Sequence, residues 1–119
     1  MPDPELAQEI FKLHASLCSA LADPRRILLL YEIAERPSCV NELAVRLGIS
    51  QPAASRHLKI LRENGLIDSS AQGSAVKYQL ADPRVIQALD ILRAVLYDRL
   101  VKQASLIGTS VSKSNPEKR

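Results

Sequence analysis

Apolar residues recur along most of the chain at the three- and four-residue spacing of amphipathic helices. The pattern predicts a mainly α fold with helices over about residues 4–21, 24–35, 39–47, 51–64 and 83–107. The fourth helix departs from the pattern, because only its second half, with Leu58, Ile60 and Leu61, can face a core. Its first two turns, Gln51 to His57, offer a core nothing larger than alanine.

Polar residues typical of helix N-caps stand immediately before several of these segments. Asp23, followed by proline at the first helical position, predicts the start of the second helix. Ser38 and Ser50 are predicted to cap the third and fourth helices. The string LADPR occurs at 21–25 and again at 80–84, and we interpret it as a repeated helix start rather than a repeated domain.

Glycines mark the ends of the two central helices and the turn that follows them. Gly48 is predicted to end the third helix, and Asn64-Gly65 to end the fourth. Two short helices joined at a glycine turn form a helix-turn-helix. The period then changes to two, which predicts a β-hairpin with strands over 66–70 and 75–80 around a turn at 71–74. Helices and hairpin in this order predict a winged helix-turn-helix.

The net charge of +3 is modest, but the basic side chains are concentrated around the fourth helix. Residues 46–77 hold five basic residues against two acidic ones, whereas residues 1–24 hold four acidic residues against one lysine. This asymmetry favours a polyanionic partner, although a solvated helix surface would carry the same charges. No basic-then-apolar leader and no apolar run near the roughly 20 residues of a membrane span occur, so we expect a cytoplasmic protein.

The segment from Gln51 to His57, the bare half of the fourth helix, is predicted to be a DNA-reading surface. Small residues let its backbone approach the base edges, while Leu58 and Leu61 hold the other half to the domain. Arg56 suits a bidentate contact with guanine, and Gln51 suits an adenine edge or a phosphate. The other residues predicted to contact DNA are Ser50, Ser55, His57 and Lys59 in the helix and Gln72, Gly73, Ser74 and Lys77 in the hairpin. His57 is also expected to brace the helix.

The sequence resembles the ArsR/SmtB family of bacterial metal- and stress-responsive repressors. The resemblance is carried by the string ALADPRR at 20–26, the helix-turn-helix segment from Glu42 to Ile67 and the hairpin segment from Gly73 to Leu80. It implies a dimer that binds an inverted repeat of double-stranded DNA. It also implies release from that operator by an effector, commonly a metal ion, an arsenical or an oxidised sulfur species.

The last helix carries more apolar surface than one small core can cover. One stripe holds Val85, Leu89, Leu92 and Leu96, and further apolar residues lie well off it. We therefore expect a homodimer through the last helix, with help from the first. The alternative is that the stripe and the apolar residues outside it all pack within a monomer. Residues 1–109 are predicted to form one DNA-binding and dimerisation domain, and 110–119 a disordered tail.

One of the two metal sites that the resemblance implies is absent. On the last helix, Arg84, Val95 and Asp98 stand where the metal ligands of the family would be wanted. Arginine cannot ligate a cation, and valine has no donor atom.

The second site is half present. Cys39 and Glu42 take the cysteine and acidic positions of the family motif, and His14 and Cys18, four apart on the first helix, are weak candidates to complete it. Such a set would suit zinc, cadmium or arsenite as effector. Asn41 stands where arsenic sensors of the family often carry a second cysteine. Packing, a thiol or redox switch, and a metal or arsenical site all stay open for Cys18 and Cys39.

Two other functions fit the same fold. A winged helix can be a protein-interaction module, but its recognition helix would then carry exposed leucine or aromatic anchors. A constitutive DNA binder with purely structural cysteines is the second, and the sequence does not distinguish a repressor from an activator. An enzyme is not expected, because Ser55 and His57 point in different directions from one helix and no third residue orients the histidine.

Overall fold

Five α-helices and one two-stranded antiparallel sheet make up residues 3–107, the part of the chain that the computed structural model describes. In chain order the elements are α1 (Pro4–Leu13), α2 (Pro24–Glu35), α3 (Val40–Leu47), α4 (Gln51–Glu63), β1 (Ile67–Gln72), β2 (Ala75–Leu80) and α5 (Arg84–Ile107). This order is that of a winged helix-turn-helix, so the predicted fold class is confirmed.

The described residues divide into two compact units, residues 3–86 and 87–107. The first contains α1 to β2 and the start of α5, and the second contains the rest of α5. The predicted end of the domain at residue 109 and the predicted tail at 110–119 lie outside the described residues. No helix within residues 3–107 combines the length and apolarity that crossing a bilayer would require.

The predicted starts of α2, α4 and α5 are confirmed by hydrogen bonds. Asp23 Oδ1 accepts from the backbone N–H of Arg25 at 2.9 Å, and Asp82 Oδ1 accepts from that of Arg84 at the same distance. In each pair the carboxylate also binds the guanidinium of the same arginine. The aspartate of the repeated string LADPR thus caps a helix in the same way in both copies. Ser50 Oγ accepts from the backbone N–H three residues on, at 3.2 Å.

The first helix differs from the prediction. The helical segment runs from residue 4 to residue 20, close to the predicted 4–21, but it contains a π-helical turn, His14–Cys18, that was not predicted. A π-helical turn has more residues per turn than an α-helix, which rotates the side chains after it away from the original face. The apolar spacing along the sequence cannot register this change, because it was matched to a period of 3.6.

Ser38 is fully buried and joins the loop before α3 to the wing strand β2. Its backbone N–H donates to the carbonyl of Tyr78 at 3.2 Å, and the N–H of Tyr78 donates to the carbonyl of Ser38 at 2.8 Å. Its hydroxyl donates to the carbonyl of Arg36 at 2.9 Å and accepts from Nη1 of Arg46 at 3.0 Å. The predicted cap at Ser38 is therefore wrong, and Cys39 takes the N-cap position of α3.

Glycines with a left-handed backbone end both helices of the helix-turn-helix. Gly48 ends α3 with φ +67°, and Gly65 follows α4 with φ +77°, which confirms both predicted stops. Gln72 pairs with Ala75 across the hairpin, so the loop has two residues and the predicted four-residue turn is too long. The positive φ of Gly73 at the first loop position permits this tight connection.

The core of the first unit lies between α2, α3, α4 and the hairpin, which pack against one another. Apolar side chains from every one of these four elements meet there without contact with solvent. The largest fully buried ones are Leu29, Leu30, Ile33, Leu43, Leu58, Leu61 and Ile67.

Candidate nucleic-acid interface

One face of α4 belongs to the core, and the other is exposed and polar. Ala54, Leu58 and Leu61 have no exposed surface. Because Ala54 is the only buried side chain in the first half of α4, that half has little packing of its own. The residues of α4 and its cap that were predicted to read or position DNA, and that are exposed, are Ser50, Gln51, Ser55, Arg56 and Lys59.

The polar side chains on this face differ in whether hydrogen bonds or ion pairs within the protein hold them in place. The hydroxyl of Ser50 caps the helix, which leaves its O–H free to donate to a phosphate. Lys59 Nζ lies 4.0 Å from Oε2 of Glu63, one turn further along, where both side chains are mostly exposed. Such an exposed pair contributes little and does not hold the lysine in place. Within residues 3–107, no ion pair is made by Arg56.

His57 lies on the same stretch of α4 but is half-buried. Its Nδ1 atom is 3.2 Å from Nη1 of Arg26, in α2. The guanidinium of Arg26 also donates from Nε to the carbonyl of Ala20 at 2.6 Å and from Nη2 to the carbonyl of Ser19 at 3.5 Å. His57 is therefore held by a side chain from another helix, as its predicted bracing role requires, while its predicted contact with DNA stays a prediction.

Charges around His57 oppose its protonation. Burial lowers the pKa of His57, and the positive charges of Arg25, Arg26 and Arg56 lower it further, against the opposing effect of the Asp23 carboxylate. That carboxylate is itself held charged, because hydrogen bonds from Arg25 lower the pKa of Asp23 to about 2. The imidazole is accordingly neutral at neutral pH, as an acceptor of a hydrogen bond from arginine must be.

The wing brings three of its four predicted residues together. Gln72, Gly73 and Ser74 are exposed at the tip of the hairpin. Lys77 lies further along β2, opposite Ser70, and is half-buried. The tip offers polar side chains to a phosphate, and Lys77 carries a positive charge two residues after the start of β2.

The candidate effector residues do not form a metal site within one chain. In the part of the chain that the structure describes, no three histidine, cysteine, aspartate or glutamate residues group in a way that could hold a metal ion. The weak candidates His14, Cys18, Cys39 and Glu42 therefore do not meet as a set of three or more within the described residues of one chain. A grouping across two copies of the chain stays a prediction.

Glu42 has a structural partner that explains part of this result. The backbone N–H of Cys39 donates to Oε1 of Glu42 at 2.9 Å, as in a capping box. This bond, a second one from the thiol of Cys39, and the charges of Lys77 and Arg46 lower the pKa of Glu42. Cys39 is half-buried at the N-cap of α3, whereas His14 and Cys18 are exposed in the π-helical turn.

Arg26 and Ser38 have roles in the site and its support that the sequence reasoning missed. A signal for Arg26 was present, because the two copies of LADPR are followed by different residues. The first copy continues with Arg26 and the second with Val85, although both start a helix in the same way. An arginine at this position is therefore not needed to start the helix, which indicates another role for Arg26.

A helix-turn-helix with an exposed polar second helix and a β-hairpin at its end defines a winged helix-turn-helix domain of the nucleic-acid-binding type. A family model described as "Bacterial regulatory protein, arsR family" matches residues 23–69. The chain belongs to this ArsR family, and the resemblance seen in the sequence is confirmed.

Individual relatives agree with this assignment. The chain is 40% identical over 75 residues to the HTH-type transcriptional repressor SmtB of Mycobacterium tuberculosis, covering 63% of this chain and 56% of that protein. It is 33% identical over 81 residues to the biofilm growth-associated repressor of Agrobacterium fabrum, covering 68% and 69%. The crystal structure of NolR from Sinorhizobium fredii superimposes with a TM-score of 0.70 at 29% identity, covering 80% and 94%. The match thus spans just over half the length of the SmtB repressor.

Proposed function

We propose that the protein is a sequence-specific DNA-binding transcriptional regulator that acts as a dimeric repressor. The observation that carries the proposal is the division of α4 into a core face and an exposed polar face. Leu58 and Leu61 anchor the helix, and Gln51, Ser55 and Arg56 are left exposed. The names of the relatives as transcriptional repressors support the same function, and support the inference that the chain is not an enzyme.

The exposed residues divide into two kinds of DNA contact. Arg56 and Gln51 have the donor and acceptor pattern for a base edge in the major groove. Ser50, Ser55 and Lys59 carry groups suited to phosphates, which would set the register of the helix. Gln72, Ser74 and Lys77 in the wing, with the close backbone approach that Gly73 allows, are proposed to contact the neighbouring minor groove or its phosphates.

We further propose a homodimer through α5, with help from α1. Within the second unit, Leu92 and Leu96 are 64% and 56% exposed, and Ile91, Val95 and Leu100 are exposed as well. So much apolar surface on one helix is typical of an interface between subunits. A two-fold dimer presents two recognition helices, which implies an inverted-repeat operator.

A protein-interaction module is less well supported than a DNA-binding domain. Such a module would carry large apolar anchors on its recognition helix. No large apolar side chain is exposed anywhere in Gln51–Glu63, all of which the structure describes. The exposed charges on that helix are mainly basic, which suits a polyanion.

The test is the affinity of the purified protein for its upstream DNA, measured by fluorescence anisotropy at several salt concentrations. Arg56→Ala should weaken specific binding by about 1–3 kcal/mol, and Lys59→Ala should weaken it on all sequences and reduce the salt dependence. Arg62→Ala is the matched control, because Arg62 is an exposed arginine in the last turn of the same helix and is not among the predicted DNA contacts. If Arg56→Ala and Lys59→Ala bind like Arg62→Ala, the face is misassigned.

We also propose that an effector releases the protein from DNA through Cys18 and Cys39. Both are free thiols, Cys18 is exposed, and Cys39 stands at the start of the helix-turn-helix, where a change could reach α4. Zinc, cadmium, arsenite or a thiol oxidant are the proposed effector classes. Cys18→Ser and Cys39→Ser should keep the operator affinity and lose its response to the effector. Identical responses in wild type and both variants would show that the thiols only pack.

A further inference from the structure

We propose that Arg26 is a positioning residue for DNA recognition, which acts by holding His57 and with it the bare half of α4. The inference rests on the DNA-binding function proposed above. It deepens that function by assigning part of the orientation of the recognition helix to a residue that lies outside the helix-turn-helix.

The geometry of Arg26 joins three parts of the first unit. The side chain starts from α2, and its Nε donates to the carbonyl of Ala20 at 2.6 Å, at the end of the first helical segment. Nη2 is directed to the carbonyl of Ser19 at 3.5 Å. Nη1 meets Nδ1 of His57 in α4 at 3.2 Å. One planar group thereby fixes the histidine relative to the backbone of residues 19–20.

The need for such a contact follows from the packing of α4. Its second half is fixed by Leu58 and Leu61, whereas its first half buries only Ala54. Apolar contacts are non-directional and leave a helix some freedom to rotate about its axis. A hydrogen bond to a fixed guanidinium has a preferred direction, and His57 directly follows Arg56, the predicted base-reading residue. The contact between Arg26 and His57 therefore sets the rotation at which Arg56 is presented.

The chemistry of the pair fixes the state of the imidazole. A guanidinium only donates, so Nδ1 of His57 must accept and its proton must sit on Nε2. The charged groups that face the ring are Arg25, Arg26 and Arg56, which disfavour a second proton, and Asp23, which favours it. Burial adds to the effect of the arginines and keeps the ring neutral.

Matched substitutions separate positioning from direct contact with DNA. His57→Asn places an amide oxygen where Nδ1 lies, and His57→Leu fills the space without an acceptor; both variants lack the Nε2 proton. Arg26→Lys keeps the charge but cannot reach His57 and both carbonyls at once. DNA affinity is measured for each variant, after circular dichroism has established that it is folded, with Arg62→Ala as the control.

We expect His57→Asn to lose less affinity than His57→Leu, because the amide oxygen keeps an acceptor, and His57→Leu and Arg26→Lys each to lose on the order of tenfold. The double variant Arg26→Lys/His57→Leu should lose no more than either single variant, because the same contact is removed. Equal losses in His57→Asn and His57→Leu would overturn the inference in favour of direct contact through Nε2. Wild-type affinity in Arg26→Lys would overturn it as well.

A measurement made without DNA tests the contact between Arg26 and His57 independently of the proposed function. Nitrogen-15 NMR of the imidazole should give the Nε2–H tautomer for His57 in wild type and a mixture of tautomers in Arg26→Lys. A wild-type protein that binds no DNA but shows this change would refute the proposed function and leave the Arg26–His57 contact established. A mixture of tautomers already in wild type would refute the contact itself, even if His57→Leu fails to fold.

Discussion

Replacing Ser38 by alanine should destabilise the first unit far more than the loss of one surface hydroxyl. The side chain is fully buried, and its hydroxyl both donates to the carbonyl of Arg36 and accepts from Arg46. Arg36 is exposed, so its carbonyl can accept a hydrogen bond from water instead. The guanidinium of Arg46 still lies 3.7 Å from the carboxylate of Glu32. The loss of the charge-assisted bond should therefore dominate, at about 1–3 kcal/mol of unfolding free energy.

Urea denaturation followed by circular dichroism measures this loss, and a double-mutant cycle with Arg46→Met assigns it. Because the two side chains share one bond, the double variant should be less destabilised than the sum of the singles, by about 1 kcal/mol. Ser55→Ala, an exposed serine on α4, is the control and should stay within about 0.5 kcal/mol of wild type. Losses that simply add would mean that the side chains of Ser38 and Arg46 do not interact, and a loss below about 0.5 kcal/mol would refute the buried network.

Three further predictions concern other parts of the chain. Leu96→Asp should give a monomer in sedimentation at micromolar concentration while Gln87→Asp, on the opposite face of α5, stays dimeric; two dimers would remove the proposed interface. Gly65→Ala should cost about 1 kcal/mol or more in urea denaturation because of its φ of +77°, although a Cβ there meets no atom within 4 Å; no loss would contradict the left-handed turn. Because the pKa of His57 is lowered from 6.5, its contribution to stability is complete above pH 6.5 and lost as the pH falls towards the folded-state pKa. His57→Asn should lack that part of the pH dependence of Tm, and identical profiles would contradict the lowered pKa.

The features that the sequence predicted correctly are those encoded by neighbouring residues. Asp23 and Ser50 cap helices through bonds that span two or three positions, and Gly48 ends a helix through its own backbone angle. The buried face of α4 is likewise readable from the spacing of Leu58 and Leu61, which determines which side of the helix meets the core.

Two of the features that escaped prediction depend on residues far apart in the chain. Ser38 has the side chain of a helix cap, and only its pairing with Tyr78, forty positions later, moves it into the core. The link from Arg26 to His57 spans 31 positions in the same way. The motif match at Cys39 and Glu42 likewise did not show that the backbone N–H of Cys39 donates to Glu42, although that bond spans only three positions.

The pairing of Ser38 with Tyr78 also limits how the domain can adapt to its operator. A wing attached only through Gly65 could swing to meet a groove of any width. The reciprocal bonds between Ser38 and Tyr78, at 3.2 and 2.8 Å, hold β2 to the loop before α3. A further bond, from the N–H of Ala81 to the carbonyl of Leu66 at 3.1 Å, holds the end of β2 to the residue before β1. In the proposed complex the separation between α4 and the wing tip is then a property of the protein, and the duplex must bend or change its groove width to match. We expect base steps that neither element touches to affect affinity through their stiffness, so that part of the operator sequence is selected by DNA shape.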